Sequence, residues 1–302
     1  MGGRALVLDA AGFPASWRIQ LHVSSGQKPQ YVVITSEGIR VPDNEVAGVW
    51  WRRPKDHEIP DAVQDANHRA FCRAESRALF EGWAYSLGRK VINPLEKELA
   101  ARKKPYQLAV ASRLGLALPK TLVTNDPSGV EEMTAAGGNY IYKILTNTPW
   151  QFTETRALGS AETKQLSLLR VAPVIFQERI DGGPDIRVTI VDDEVFPVEL
   201  QASHPEAWLD WRMDLAVEIR PHVLPPQVAQ KLVDFERAMG LRYGALDLRL
   251  SASGEYVFFE VNPAGQYLFA EIYGAVPISR RLAWALLAGP PEDRAQPGTR
   301  SS

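Results

Sequence analysis

Ala245-Leu-Asp-Leu-Arg-Leu-Ser-Ala-Ser-Gly-Glu-Tyr-Val-Phe-Phe-Glu-Val-Asn-Pro263 is the stretch on which the fold turns. Leu246, Leu248 and Leu250 alternate with Asp247 and Arg249. Val257, Phe259 and Val261 alternate with Phe258, Glu260 and Asn262. A period of two sends each set to its own face of a strand. Ser251–Glu255 supplies a turn, so the two strands are expected to pair antiparallel. With the aliphatic sets sharing a face, Leu250 should lie opposite Val257, Leu248 opposite Phe259 and Leu246 opposite Val261. A one-residue slip would send one set to the wrong side. This register sets Asp247 directly across from Glu260. Like charges facing each other on a sheet repel, and a cation between them would relieve that. Asn262 projects from the same face and adds a third oxygen. An all-oxygen cluster with few protein ligands suits Mg²⁺, which keeps waters and takes substrate phosphates. A solvated sheet face carrying incidental acids would show the same letters.

A Mg²⁺–phosphate site calls for cations. Lys143 lies within the apolar run Tyr140-Ile-Tyr-Lys-Ile-Leu145, where a lysine is unusual unless it is paired or serves an anion. An edge strand with Lys143 in water is the alternative. Lys104 stands beside Lys103 at the start of a helix, where the dipole disfavours a cation and a bound phosphate would offset the cost. An ordinary first-turn surface lysine is the alternative. Gln177-Glu-Arg-Ile180 ends a strand before Asp181-Gly-Gly-Pro184. Its backbone groups and carboxylate could meet an adenine edge and a ribose, or be a plain strand end. Arg187, in Asp185-Ile-Arg187, and Arg212, in Asp210-Trp-Arg212, have the planar fork suited to phosphate or carboxylate. Surface ion pairs would explain them equally.

Composition removes other classes. The 302 residues are 45% hydrophobic and 23% charged, with a formal net charge of -2. That is ordinary for a soluble globular protein of two or three lobes. The absence of a basic excess disfavours nucleic-acid and anionic-lipid binding. No run of about 18 apolar residues suggests a membrane span, and the start has no cleavable-signal layout. A cytoplasmic protein is expected. The single cysteine, Cys72, permits neither a disulfide framework nor a cysteine-based zinc site, and its place on a helical stripe suggests core rather than nucleophile. The glycine pairs Gly137-Gly138 and Gly182-Gly183 lack a Lys-Ser/Thr partner, and there is no GxGxxG or GxSxG string.

The pattern predicts a mixed α/β (α+β) chain in three zones and a tail. Residues 1–92 carry short strands at Arg4–Leu8, Tyr31–Ile34 and Val46–Trp51. A helix follows over His68–Leu87, with Cys72, Leu79, Trp83 and Leu87 on its apolar face and Gly88 as its cap. Residues 93–172 hold a helix over Lys104–Leu114, extended Pro119–Val123, a strand over Tyr140–Leu145 and a polar loop over Thr146–Ser160. Residues 173–288 hold strands Val174–Arg179, Ile186–Val191 and Val195–Leu200, and a helix over Pro226–Met239. The hairpin and a last helix over Ile278–Leu287 close that zone. Residues 289–302 read as a disordered tail.

Taken in order, these features resemble the ATP-grasp fold over residues 93–288. More narrowly, the chain resembles the microviridin-type ATP-grasp ligases, or graspetide synthetases. The resemblance is carried by Trp50-Trp-Arg-Arg-Pro54, Ile92-Asn-Pro94, Lys104-Pro-Tyr-Gln107, Leu116-Ala-Leu-Pro-Lys-Thr-Leu-Val-Thr-Asn125, Gln177-Glu-Arg-Ile180, Asp185-Ile-Arg-Val188, Asp210-Trp-Arg212 and Glu260-Val-Asn-Pro-Ala-Gly-Gln266. It implies a pre-ATP-grasp domain over 1–92, a central subdomain over 93–172 acting as lid, and a C-terminal subdomain over 173–288.

It also implies ATP and Mg²⁺. Lys104 and Lys143 would meet the phosphates, Gln177, Glu178, Arg179 and Ile180 the adenine, and Asp185 the ribose. Asp247, Glu260 and Asn262 would hold Mg²⁺, with Arg187 and Arg212 near the γ-phosphate and the acyl intermediate. The partner would be a precursor peptide with a leader helix, and the assembly a homodimer. A side-chain carboxylate of that peptide would be phosphorylated, then attacked by a Ser/Thr hydroxyl or Lys amine to close an ω-ester or ω-amide ring. Thr146–Ser160 would exclude water.

Family members start with a strand and helix before the segment that Arg4–Ala15 resembles, so the N-terminal domain is expected to be truncated at its start, either because the start site is misplaced or because the first βα unit is missing. The loop after Lys143 is poorer in glycine than many ATP-grasp phosphate loops. Two rivals stand beside this function: a ligase of the same fold that adds amino acids to a protein tail or joins small molecules, and a nucleotide-binding protein without catalysis.

Overall fold

The computed structural model describes residues 2–146, 155–202 and 216–291. The chain divides into two compact units, one running up to Glu98 and including the residues from Arg280 on, the other Leu99–Ser279.

In the first unit, β1 (Arg18–His22), β2 (Gln30–Ile34) and β3 (Arg40–Pro42) form an antiparallel sheet, and β4 (Val49–Trp50) pairs parallel with β5 (Val91–Ile92). The strand expected at Arg4–Leu8 does not form. That segment lies largely exposed, with Val7 at 95%, and no neighbouring strand offers it a ladder. The first strand is β1 instead. Helix α1 (Ala66–Leu87) starts on the Asp65 side chain, which accepts the His68 amide, and ends at Gly88 with φ 52°. Its buried face is Ser76, Phe80, Trp83, Ala84 and Leu87, while Leu79 is exposed and Cys72 half-buried. The face is displaced from the expected stripe because Phe80 enters an aromatic cluster with Phe13, Trp17 and Trp51 at centroid distances of 4.6–6.0 Å.

Helix α2 (Leu95–Ala101) leads to α3 (Lys104–Arg113), stopped at Gly115 with φ 67°. Then follow β6 (Thr121–Thr124), α4 (Pro127–Ala135), β7 (Tyr140–Lys143), β8 (Arg156–Ala157), the single turn α5 (Ser160–Thr163) and β9 (Val174–Glu178). These strands form an antiparallel sheet in the order β6-β9-β7-β8. The Thr146–Ser160 segment is not wholly loop, since β8 lies within it, and its residues 147–154 are outside those described.

The second sheet has the order β12-β11-β10-β13-β14, built from β10 (Gly182–Val191), β11 (Glu194–Gln201), β12 (Glu218–Pro221), β13 (Tyr243–Ser251) and β14 (Tyr256–Asn262). Helix α6 (Pro226–Met239) separates β12 from β13. The helices α7 (Leu268–Gly274) and α8 (Ile278–Ala288) follow β14. Among the described residues no helix is long and apolar enough to cross a membrane. Residues 292–302 of the expected tail lie outside the described ones.

One face of this sheet is core. Ile186, Val188, Ile190, Leu246, Leu248 and Phe258 pack with Val110 and Ala111 of α3 and Leu232, Phe235 and Met239 of α6. Each large aliphatic or aromatic side chain buried there contributes about 1.5–3 kcal/mol. The opposite face carries Asp185, Arg187, Asp247 and Arg249, which alternate with that core.

The hairpin register differs from the expected one beyond Asp247. Leu246 pairs with Val261 and Asp247 with Glu260, but Leu248 pairs with Phe258, Arg249 with Val257 and Leu250 with Tyr256. Phe259 is thus an extra residue, a β-bulge. Simple alternation would place Phe259 in the core and expel Phe258. The bulge buries Phe258 completely and leaves Phe259 to the charged face.

Glu236 of α6 is buried among these apolar side chains, 1% exposed, over Gly244, where there is no room for a Cβ. Neither carboxyl oxygen has a hydrogen-bond partner among the described residues. Burial raises its pKa to about 8. The folded chain therefore holds a proton that the unfolded chain releases near the ordinary carboxylate value of about 4.3. Stability should fall as pH rises from about 4.3 to about 8 and level off above. We expect Glu236→Gln to flatten this slope, gaining a few kcal/mol on the parent above pH 8 at about 1.4 kcal/mol per pKa unit. Thermal unfolding of both proteins across that range checks it, and parallel profiles would contradict it.

Candidate active site

The charged face is organised around β13 and β14. Asp247 and Glu260 are register partners, and each is 25% exposed at its side chain. The Arg187 Nη1 donates to Asp247 Oδ1 at 2.6 Å, because Arg187 on β10 is the register partner of Asp247 on the other side. Arg187 Nη2 reaches the Gln266 carbonyl at 3.4 Å, and its guanidinium lies 5.8 Å from the Phe269 ring. Its Nε is buried with no hydrogen-bond partner among the described residues. The Lys104 Nζ stands 3.0 Å from Glu260 Oε2 and 3.4 Å from the Ile144 carbonyl at the end of β7. Asn262 Oδ1 accepts the Ala264 amide at 3.1 Å.

Gln107 sets the spacing between Lys104 and these acids. Its Nε2 donates to the Val261 carbonyl at 2.9 Å and its Oε1 accepts the Val261 amide at 3.0 Å. This buried amide clamps α3 onto the outer edge of β14 between Glu260 and Asn262. Without it the strand edge would leave buried backbone groups unsatisfied.

The bulge residue Phe259 joins two cations. The Lys143 Nζ lies 5.8 Å from its ring centroid and the Arg249 guanidinium 5.7 Å, within reach of cation–π attraction. Arg249 also binds both Asp185 oxygens, at 2.8 and 2.9 Å, and the Ile180 carbonyl at 3.2 Å. Asp185, proposed from the sequence for a ribose, is therefore one half of a bidentate ion pair in this structure. Gln177 is buried and donates to Thr121 Oγ1 at 3.0 Å. The Glu178 and Arg179 amides donate to the Lys120 and Asn139 carbonyls, and Arg179 Nε meets Asp181 at 2.8 Å. Arg179, Ile180, Asp185 and Arg249 line one depression with Leu200 and Gln201. The Asp210-Trp-Arg212 segment lies outside the described residues, so Arg212 has no placement here.

Lys104, Arg187, Asp247, Glu260 and Asn262 thus come together, with Lys143 linked to them through Phe259. Arg179, Ile180 and Asp185 gather around Arg249, whereas Gln177 and Glu178 lie on β9 of the other sheet. Arg249, Phe259 and Gln107 are parts of the constellation that the sequence reading did not nominate. Arg249 carried the same signal as Lys143, a charge inside an apolar strand. Phe259 could not be found without the bulge.

The first 99 residues match the model of the MvdD pre-ATP grasp domain. Over 93% of its length the chain is similar to the macrocyclase MdnC of Microcystis aeruginosa MRC, solved with its precursor peptide MdnA. The two are 28% identical, with a TM-score of 0.78 and 89% of that chain covered. These matches support the microviridin-type ATP-grasp ligases as the family of this chain. The ligase is also similar to PsnB, solved with a minimal precursor, at 25% identity, a TM-score of 0.76 and 95% and 90% coverage of the two chains. A curated relative, the probable alpha-L-glutamate ligase 2 of Shewanella amazonensis, is 29% identical over 171 residues. That match takes in 54% of this chain and 56% of the relative, so the chain spans about half the length of the curated relatives it matches.

Two opposed carboxylates and an amide oxygen on one partly exposed face form a hard-oxygen donor set. Among the described residues no group of three or more His, Cys, Asp or Glu gathers. The residues present fit Mg²⁺.

Proposed function

We propose that this ligase uses ATP to activate a side-chain carboxylate of a ribosomal precursor peptide and closes an intramolecular ester or amide with it. The observation that carries this is the single sheet face on which Lys104, Arg187, Asp247, Glu260 and Asn262 converge. Solved relatives that hold precursor peptides support a peptide substrate. The peptide carboxylate would attack the γ-phosphorus, and the bond to ADP would break. A Ser/Thr oxygen or Lys nitrogen of the same peptide would then attack the acyl carbon, expelling inorganic phosphate and losing a proton. Each link removes one water from the peptide.

This chemistry needs little covalent help from protein groups, only placement and charge. Asp247, Glu260 and Asn262 would hold Mg²⁺, which when bound neutralises charge on phosphoryl oxygens. Lys104, Lys143 and Arg187 would bind the phosphates, and Arg187, one of the least exposed of these, would orient the γ-phosphate. Arg212 would act beside it on the acyl group. Gln177, Glu178, Arg179 and Ile180 would border the adenine, and Asp185 the ribose. Residues 93–172 would close as the lid, over the subdomain 173–288, with 1–92 as the pre-ATP-grasp domain. The peptide's leader helix would dock on a homodimeric enzyme in the cytoplasm, where ATP and a newly made peptide meet.

The test is the mass of the precursor after incubation with ATP and Mg²⁺. Loss of one or more waters is expected. The curated relatives favour a second outcome, since both are named probable glutamate ligases. Gain of amino-acid mass would establish that rival, and ATP binding without ADP release would exclude catalysis.

A further inference from the structure

The side chains assigned to the metal already lie against cations or an amide of the chain itself. Arg187 binds Asp247 at 2.6 Å, Lys104 meets Glu260 at 3.0 Å, and the Ala264 amide binds Asn262. The first two donors are the same cations that the proposed function turns toward the phosphates. Two acids this close repel unless countered, and each here has its own positive partner, with Arg187 only 8% and Lys104 only 19% exposed. Arg187 has more donors than partners, because its buried Nε has no acceptor among the described residues. A buried guanidinium with an idle donor is poised for a further anion.

We infer that Lys104 and Arg187 are resident counter-ions of the acid pair, and that polyphosphate and divalent metal enter together by exchange of partners. This rests on the proposed function. Each cation would leave a carboxylate for a phosphate oxygen as the metal takes its place on the acid. Neither exchange is favourable alone. A metal arriving without polyphosphate meets two cations held against its ligands. A polyphosphate arriving without metal strips the acids of their partners and leaves them uncompensated, which is costly in a partly buried site. The two ligands should therefore strengthen each other's binding, reciprocally, by a factor in the usual range of about 5–150.

The experiment measures Mn²⁺ binding to the full chain by electron paramagnetic resonance, with and without adenylyl imidodiphosphate, a non-hydrolysable ATP analogue. The wild type should bind Mn²⁺ weakly alone and at least about fivefold more tightly with the analogue. Lys104→Met should bind Mn²⁺ without the analogue about tenfold more tightly than the wild type and lose most of the coupling. Arg187→Met should do the same. Because Arg187 is buried and its loss threatens folding, Lys104→Met, the more exposed position, carries the test if that protein unfolds. Arg237→Met removes an exposed cation paired with Asp193 and should leave Mn²⁺ affinity unchanged. Equal Mn²⁺ affinity in wild type and Lys104→Met overturns the inference, as does an equal gain in Arg237→Met or an absence of coupling in the wild type. A wild type that does not bind the analogue at all overturns the proposed function instead.

Discussion

Asp247→Asn and Glu260→Gln are each expected to lower ADP release by about 10²–10³-fold, the usual cost of removing one preorganised electrostatic group from a site of developing charge. Both substitutions keep size and an acceptor oxygen, so the hairpin register and the Gln107 clamp on Val261 should persist. What disappears is one negative charge of the opposed pair. Asp247 and Glu260 lie side by side across the ladder with Arg187 and Lys104 on their outer sides. Steady-state ADP release with thermal unfolding as a control checks it. Variants that turn over at wild-type rate, with unfolding unchanged, would remove these carboxylates from the active site.

Arg249→Ala should cost about 3–5 kcal/mol of stability, the range for breaking a buried pair from one side. Arg249 and Asp185 are 11% and 12% exposed at their side chains, and the contact is bidentate. The truncation removes the bidentate partner of Asp185 and the donor to the Ile180 carbonyl, and bares one face of Phe259. Adding Asp185→Asn should recover part of the loss, because a buried negative charge is then removed along with its bidentate partner. Arg249→Lys should recover less than the parent, as an ammonium cannot fork to two oxygens. Urea unfolding of the parent, Arg249→Ala, Asp185→Asn and the double variant closes the cycle. Additive losses for Arg249→Ala and Asp185→Asn would show that the pair is not coupled.

The local elements were legible where the pattern is strong and self-contained. Helix α6 spans the expected Pro226–Met239, because two prolines start it, a 3.6-residue stripe runs through it and Gly240 ends it at φ 72°. The turn Ser251–Glu255 and the facing of Asp247 with Glu260 followed from alternation alone. Helices α2, α4 and α7 and strands β1, β8 and β12 escaped, being short and held by neighbours more than by their own letters. Arg4–Leu8 erred the other way, an apolar run with no ladder to join.

Residue order along the chain thus determined which side chains share a strand face, and so the chemistry available to this ligase: paired acids, an amide and isolated cations inside apolar strands. Spacing alone was enough, because side-chain direction along a strand is set by the backbone repeat. Only the tertiary structure decided which cation meets which acid. It set Arg187 beside Asp247, Lys104 beside Glu260 and Arg249 around Asp185, and it used a bulge to exchange the places of Phe258 and Phe259. Those pairings join residues up to 156 positions apart, from Lys104 to Glu260. They depend on how sheets and helices stack, which local periodicity does not encode.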